Sequence, residues 1–148
     1  MAARLSTGLV KKMMDTSPFR TLFAASFIDI YSGAQPASPD DAASGNKLVT
    51  IYSDGASVGV NFDTTAPVGV LPKAPGETWS GTVLATGVAG YFRLREAGDP
   101  GTGASTTAVR YDGAVATSGA EMNLGSLTLT IGAPFIISSA IFTLPKST

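Results

Sequence analysis

The feature that most constrains the fold of this chain is a regular succession of short segments in which apolar and polar residues alternate. About eight to ten such segments follow residue 26, and turn-forming residues separate them roughly every 8–12 positions. Alternation places every second side chain on the same face of a strand, so each segment can bury one face. The pattern predicts one mainly β domain, built as an antiparallel β-sandwich or barrel, and 148 residues are enough to give it a core.

The stretch 78–96 carries the strongest strand signals and the only tryptophan of the chain. We predict a hairpin here, with the glycine-containing segment 87–90 as its turn. Alternation gives the first strand one face formed by Trp79, Gly81, Val83 and Ala85. In the second strand it places Phe92 and Leu94 together, and we predict that Trp79, Phe92 and Leu94 lie in the core. The opposite face of the second strand, predicted to face water, carries Tyr91, Arg93 and Arg95.

Further strands are predicted at 27–31, 47–53, 58–62, 109–111, 115–117, 121–124 and 126–131. Asp54-Gly55 and Asp112-Gly113 are predicted to turn the chain between strands. The run 135–144 is apolar on both faces, which predicts a central strand or a strand that a partner covers. Prolines restrict 63–77 to a short edge segment at 68–71, and 97–106 is predicted to be a loop.

The N-terminal region predicts two short helices, one over residues 2–15 and one from Ser17-Pro18 to about Ala25. The first helix has one apolar stripe at helical spacing, formed by Leu5, Leu9, Val10 and Met13. The stripe either docks on the core or lies on another subunit. We therefore predict a helical arm over 1–25, a β-sandwich domain over 26–148, and these four side chains as the candidate partner contacts.

Composition excludes several functional classes. The chain contains no cysteine and no histidine, so it lacks thiolate chemistry, the usual general base and the commonest transition-metal ligand. The net charge of −1 and the absence of a basic stripe argue against a nucleic-acid partner. No apolar run approaches the roughly 18 residues of a membrane span, and no signal peptide is recognised. We expect no enzymatic activity, no metal and no cofactor.

The acidic residues offer only weak catalytic or metal patterns. Asp40 and Asp41 would join Asp99 or Asp112 in a cation site, but no calcium-loop spacing is present. The better interpretation is that Asp40 and Asp41 cap a one- or two-turn helix within 38–45. The scattered carboxylates that a glycosidase pair would need are Asp29, Asp54, Asp63, Glu77, Glu96 and Glu121.

Aromatic and basic residues suggest two further roles. Tyr31, Tyr52 and an exposed Trp79 would form a sugar-binding platform, although packing in the core or at an edge is the simpler interpretation. Salt bridges to Glu96 or to a neighbour's carboxylates are predicted for the strand arginines, which are Arg93, Arg95 and Arg110.

Four stretches of the chain resemble small structural proteins of tailed-phage particles. They are Phe27 to Pro36, Gly76 to Thr82, Gly90 to Arg95 and Ser118 to Leu124, and the likeness extends over most of the chain from about residue 27. The resemblance implies a component of the virion, made in the host cytoplasm, and a jelly-roll-like form of the sandwich.

The role implied by this resemblance is that of a head cement or decoration protein that binds the major capsid protein and copies of itself. Two alternatives remain at this stage. One is a neck, tail or fibre-associated structural protein on the same fold, and the other is a carbohydrate-binding β-sandwich module.

Overall fold

The structure is a computed structural model that describes residues 3–54, 57–65, 70–137 and 140–144. Within these ranges the helices are α1 (Thr7–Asp15) and α2 (Phe19–Leu22). The strands, in chain order, are β1 (Arg4–Leu5), β2 (Phe27–Ser32), β3 (Lys47–Ser53), β4 (Leu71–Pro72), β5 (Trp79–Thr82), β6 (Gly87–Arg95), β7 (Arg110–Ala116), β8 (Met122–Asn123), β9 (Thr128–Leu129), β10 (Pro134–Ile137) and β11 (Ile141–Phe142).

Nine of the strands in the described part of the chain form one open sheet. Its main path runs β1-β7-β6-β2-β3-β5-β10, while β8 joins β7 and β9 joins β6. The pairings along this path are antiparallel, and the β7–β8 pairing is parallel. The mainly β, antiparallel class with short N-terminal helices is therefore confirmed. Its closure into a jelly-roll-like sandwich stays a prediction.

One face of the sheet packs on an aromatic core. The Trp79 and Phe62 ring centroids are 5.4 Å apart, and Phe142 lies 5.4 Å from Phe62 and 5.6 Å from Phe92. Tyr111 completes the cluster at 5.7 Å from Phe142, and edge-to-face geometry of this kind is favourable for aromatic pairs. Trp79, Phe92 and Leu94 are buried as predicted.

The predicted hairpin over 78–96 is wrong, although both of its strands exist. Strands β2 and β3 lie between β5 and β6 in the sheet, so the two do not pair with each other. The segment predicted as the turn is instead the start of β6. A Cβ atom at Gly90 would collide with the carbonyl oxygen of Gly33, so this glycine permits a close backbone approach within a strand.

The predicted turn at Asp112-Gly113 is also wrong, because both residues lie inside the continuous strand β7. The Asp112 carboxylate is bound by the Arg93 side chain, and the missing side chain of Gly113 leaves room for the Phe92 ring.

The run 135–144 does not form a central strand. It contributes β10 at the end of the sheet path and β11 in a separate pair with β4, and residues 138 and 139 lie outside the described ranges. Of the predicted edge segment 68–71, residues 68 and 69 also lie outside them, and β4 begins at its last residue.

The helix predicted within 38–45 is absent from this fully described segment. The Ser38 hydroxyl accepts a hydrogen bond from the Asp40 N–H, and the Asp41 carboxylate accepts one from the Ser38 N–H. Such local bonds from side chains to the backbone compete with helix formation. The segment therefore forms turns instead of a helix.

Helix α1 begins at Thr7 instead of residue 2, because Arg4 and Leu5 pair with Asp112 and Tyr111 of β7. Ser6 caps the helix, and its hydroxyl accepts a hydrogen bond from the Leu9 N–H at 3.1 Å. The same hydroxyl donates to the carbonyl of Ala108 at 2.8 Å. The described part of the predicted arm is thus tied to the sheet of its own chain.

Candidate functional site

Charged side chains cover the face of the sheet opposite the aromatic core. We name this group the arginine–aspartate layer, and its members are Asp29, Arg93, Arg95, Asp99, Arg110 and Asp112. Asp29, Arg93 and Asp112 lie side by side on β2, β6 and β7, because the register pairs Asp29 with Arg93 and Arg93 with Asp112. Alternation along β6 placed Arg93 on this face, as predicted, but Arg93 is fully buried instead of facing water.

Each arginine of the layer forms an ion pair within the chain. The Arg93 Nε and Nη2 atoms donate to the two Asp112 oxygens, both at 2.8 Å. Arg110 donates to Asp99 in the same forked way, at 2.6 and 2.9 Å. Arg95 binds Asp29 at 2.6 Å, and Lys47 reaches the same carboxylate at 3.0 Å. The predicted structural salt bridges are confirmed, but their partners are these aspartates, and Glu96 pairs with Lys12.

The same arginines hold two loops, 34–45 and 97–105, over this face. Arg93 donates to the carbonyl oxygens of Gly101 at 2.9 Å and Asp41 at 3.2 Å. Arg110 donates to the carbonyl of Pro39 at 3.1 Å, and Arg95 donates to that of Asp99 at 2.6 Å. Because these bonds join the sheet to both loops, the layer works as an internal support.

The environment of the layer shifts the pKa values of several groups. Burial acts to raise the pKa of Asp99, but hydrogen bonds from Arg110 and from the Gly101 N–H outweigh it and hold that pKa below its ordinary value. Burial, followed by the nearby Asp29 charge, raises the pKa of the Tyr31 hydroxyl. These directions follow from desolvation and from hydrogen bonding to the charged form.

The Arg93–Asp112 pair is subject to opposing effects. Burial raises the pKa of Asp112, which favours a neutral carboxyl group. Burial acts to lower the pKa of Arg93, but the hydrogen bonds and charge of Asp112 overcome it and raise that pKa. Two parallel hydrogen bonds of 2.8 Å favour the charged pair at neutral pH, since a neutral carboxyl group cannot accept both equally well.

The structure separates the acids of the suggested cation site. Asp40 accepts hydrogen bonds from the Thr7 N–H at 2.9 Å and the Thr7 hydroxyl at 2.5 Å, so it caps α1 instead of a helix of its own. The Asp41 carboxylate accepts a hydrogen bond from the Ser38 N–H. Asp99 forms an ion pair with Arg110, and Asp112 forms one with Arg93. Within the described ranges, no three acidic side chains form a group that would hold a metal ion.

The sugar-binding platform is wrong as predicted, because Trp79 is buried instead of exposed. Its ring packs edge-on against Phe62, and its Nε1–H donates to Glu77 at 2.8 Å. Tyr31 is also buried, where it stacks on Tyr91.

The remaining carboxylates considered for a glycosidase pair accept hydrogen bonds from nearby backbone or side-chain groups. Glu77 also binds the Asn61 N–H, Glu121 binds the Ala114 N–H, and Asp54 binds the Thr78 N–H. Asp63 accepts from both the N–H and the hydroxyl of Thr65, and Glu96 accepts from the Val109 N–H.

The four predicted partner contacts divide into two groups. Leu9 is fully buried in the core of its own chain, and Leu5 and Met13 pack against that core. Leu9 therefore does not fit the predicted role, because α1 turns its apolar stripe toward the sheet. Leu5 and Met13 are partly buried, and Val10 is exposed on α1 together with Met14, so partner contact stays a prediction for Leu5, Val10 and Met13.

A second set of exposed apolar side chains lies on two adjoining segments, 79–88 and 128–137, which we name the uncharged sheet end. Its exposed apolar members, with their exposed fractions, are Leu84 (56%), Val88 (58%), Ile131 (63%) and Ile136 (61%). No charged residue occurs from Thr78 to Phe92 or from Met122 to Leu144. This part of the molecule is therefore apolar and neutral, apart from hydroxyl groups and the backbone.

Hydrogen bonds hold the two segments of the uncharged sheet end together. β10 pairs with β5, and β9 pairs with the start of β6. Between these pairings, the Val83 N–H donates to the Ala133 carbonyl at 3.0 Å, and the Gly132 N–H donates to the Val83 carbonyl at 2.8 Å. The Ile131 N–H donates to the Thr86 hydroxyl at 3.0 Å. The exposed side chains therefore belong to one continuous region of the fold.

Sequence reasoning missed the four exposed side chains of this region. The strand predicted at 126–131 would place Ile131 on one face with Leu127 and Leu129 by alternation, but Ile131 lies beyond β9 in a turn. The sequence does contain a signal for this region, namely the two long runs without a charged residue, 78–92 and 122–144. Exposed segments of proteins normally carry charged residues, so such runs indicate an unusual surface.

Comparisons with known protein families, with curated proteins and with solved structures found no significant match to this chain. None of the helices in the described part of the chain is long and apolar enough to cross a membrane.

Proposed function

We propose that this protein is a non-enzymatic structural component that acts by binding other protein subunits, and that it is a cement or decoration protein of a tailed-phage head. The observation that carries the binding role is the uncharged sheet end, where four large apolar side chains are exposed. The sequence resemblance to phage structural proteins supports the location on a particle.

The physical basis is burial of apolar surface without loss of charge hydration. Covering one exposed isoleucine, leucine or valine stabilises a complex by about 1.5–3 kcal/mol before the cost of ordering is subtracted. Charged groups at such an interface would have to give up water, and the uncharged sheet end has none to desolvate. This favours a protein partner with an apolar surface, for which the major capsid protein is our candidate.

Cementing follows from mass action. A subunit that binds the assembled shell, and not its separated components, stabilises the assembled state. The arginine–aspartate layer suits this role, because it anchors the two loops to β6 and β7 and thereby stiffens the sheet that carries the uncharged sheet end. A preorganised surface binds with a smaller entropy cost than a mobile one.

The test uses phage particles prepared with and without this protein. Particles that lack it should release DNA at a lower temperature, and adding back the purified wild-type chain should restore the higher temperature. A Val88→Lys variant should restore little, because it places a charge in the proposed contact. A Val58→Lys variant, changed at a valine of similar exposure that lies outside both α1 and the uncharged sheet end, should restore fully.

The same particles also distinguish the head from other locations. A cement protein should be present in hundreds of copies per particle, whereas a neck or tail component should be present in about a dozen or fewer. Unchanged stability of particles without the protein would contradict cementing, and a low copy number would favour the neck or tail.

A further inference from the structure

Strand β10 is the last strand of the sheet path, and its outer edge is unpaired within the described part of the chain. Natural proteins usually protect such edges with charged side chains or bulges, because free backbone groups recruit other strands. β10 has a proline at its first position but no charged residue.

The register identifies which backbone groups point outward. The Val83 N–H binds the Ala133 carbonyl, and in an antiparallel pair the bonded positions alternate. Phe135 and Ile137 therefore exchange hydrogen bonds with β5, while Pro134 and Ile136 point their backbone groups away from it. Since proline has no N–H, Ile136 is the residue of β10 that presents both an outward N–H and an outward C=O.

We propose that β10 pairs antiparallel with β10 of a second copy of this chain, about a two-fold axis at Ile136. The proposal rests on the proposed function and names the occupant of the free edge. In this arrangement the two Ile136 residues exchange both N–H···O=C bonds, and the sheet continues from one subunit into the next. Edge-to-edge addition of this kind is a recurring mode of protein association.

Charge supports a second copy as the occupant. An isologous interface brings identical patches together, so any charge near the axis would face its own like charge. Neither β10 nor β5, the strand paired with it, contains a charged residue, so the paired strands themselves bring no like charges together. The Ile136 side chain is exposed on β10, where it is available to pack on the Ile136 side chain of the second copy.

The oligomeric state of the purified full chain tests the proposal. Sedimentation over a range of concentrations should show a monomer–dimer equilibrium for the wild type. Ile136→Lys should raise the dimer dissociation constant by about 100-fold, as loss of a central contact does. Met14→Lys, a matched change of an exposed residue on α1, should leave it unchanged.

Two further variants test the geometry of the pairing. Ile136→Pro removes the outward N–H without removing a bond to β5, so the far-UV spectrum should be retained while the dimer is lost. Because the chain has no cysteine, Ile136→Cys supplies a single thiol that faces its counterpart across the axis. It should form a disulfide-linked dimer under mild oxidation much faster than Met14→Cys does.

A wild-type chain that stays monomeric at all concentrations would overturn the proposal, as would a dimer that Ile136→Lys and Ile136→Pro leave intact. If the chain is monomeric but Val88→Lys still abolishes stabilisation of the particle, self-pairing fails and the proposed function stands. If the dimer forms as predicted but particles are equally stable without the protein, the pairing stands and cementing fails.

Discussion

The Arg93–Asp112 pair has both side chains fully buried. Replacing Asp112 by Asn keeps the shape but leaves the guanidinium charge without a counter-charge. We expect Asp112→Asn to lower the free energy of unfolding by about 3–5 kcal/mol, measured by urea denaturation at pH 7. Lys11→Ala, which breaks the exposed Lys11–Asp15 pair, should change it by less than about 0.5 kcal/mol and serves as the control. If Asp112→Asn and Lys11→Ala lowered the free energy of unfolding equally, the Arg93–Asp112 pair would not be buried away from water.

Asp99 gives the layer a defined dependence on pH. Its pKa in the folded state lies below that of an unfolded aspartate, about 3.9, because Arg110 and the Gly101 N–H bind the charged form. Its stabilising contribution is therefore complete above that value and is lost as the pH falls through the lower, folded pKa. In urea titrations, the gap in stability between wild type and Asp99→Asn should be constant near pH 7 and shrink below about pH 4. A gap that widens in acid would contradict this assignment.

Individual side chains were predicted with mixed success. Trp79, Phe92 and Leu94 could be assigned to the core, because alternation along a strand determines which residues share a face. The same alternation placed Arg93 and Arg95 on the opposite face but gave no information on whether loops cover it. Burial of that face depends on how loops 34–45 and 97–105 fold back over it, and the periodicity of the strand contains no signal for the path of a loop.

Helix α1 docks so closely that its glycine, Gly8, has no space for a side chain. A Cβ atom at Gly8 would collide with the carbonyl oxygens of Thr107 and Ala108. Helix propensity alone predicts that alanine stabilises this position by about 1 kcal/mol. We expect the opposite sign for Gly8→Ala, a net loss of about 1–2 kcal/mol in thermal or urea unfolding.

The control for this change is Gly125→Ala, where no atom lies within 4 Å of the added Cβ. It should be close to neutral. A stabilising effect of Gly8→Ala would indicate that the N-terminal segment is a separate arm, as the sequence had suggested.

Elements were predicted better than their pairings. The strands β2 and β3 agree with the predicted 27–31 and 47–53 to within a residue, because each has a clear apolar pattern and a clear end. The hairpin over 78–96 failed because a glycine within a strand and a glycine within a turn look the same in sequence. The helix within 38–45 failed because bonds from Ser38 and Asp41 to the backbone replaced it.

At the scale of the whole molecule, charge is distributed unevenly. Ion pairs are concentrated under the two loops, and the uncharged sheet end has none. Self-association through that end should therefore respond little to salt. Between about 0.05 M and about 0.5 M NaCl, we expect the dimer dissociation constant to change less than about twofold in sedimentation experiments. A tenfold weakening by salt would place charged residues at the interface and contradict the β10 pairing.

Loops 34–45 and 97–105 are fastened to the sheet largely through their main-chain oxygen atoms. The side chains of Arg93, Arg95 and Arg110 donate hydrogen bonds to backbone carbonyl groups, which every amino acid possesses. Most side chains of the two loops are therefore not needed to attach the loops to the sheet. The exceptions are Asp99, whose carboxylate binds Arg110, and Asp40, whose carboxylate binds Thr7 of α1. Around these two residues, foreign peptide sequences could be grafted into the loops for display while the arginines continue to hold the grafted backbone in place.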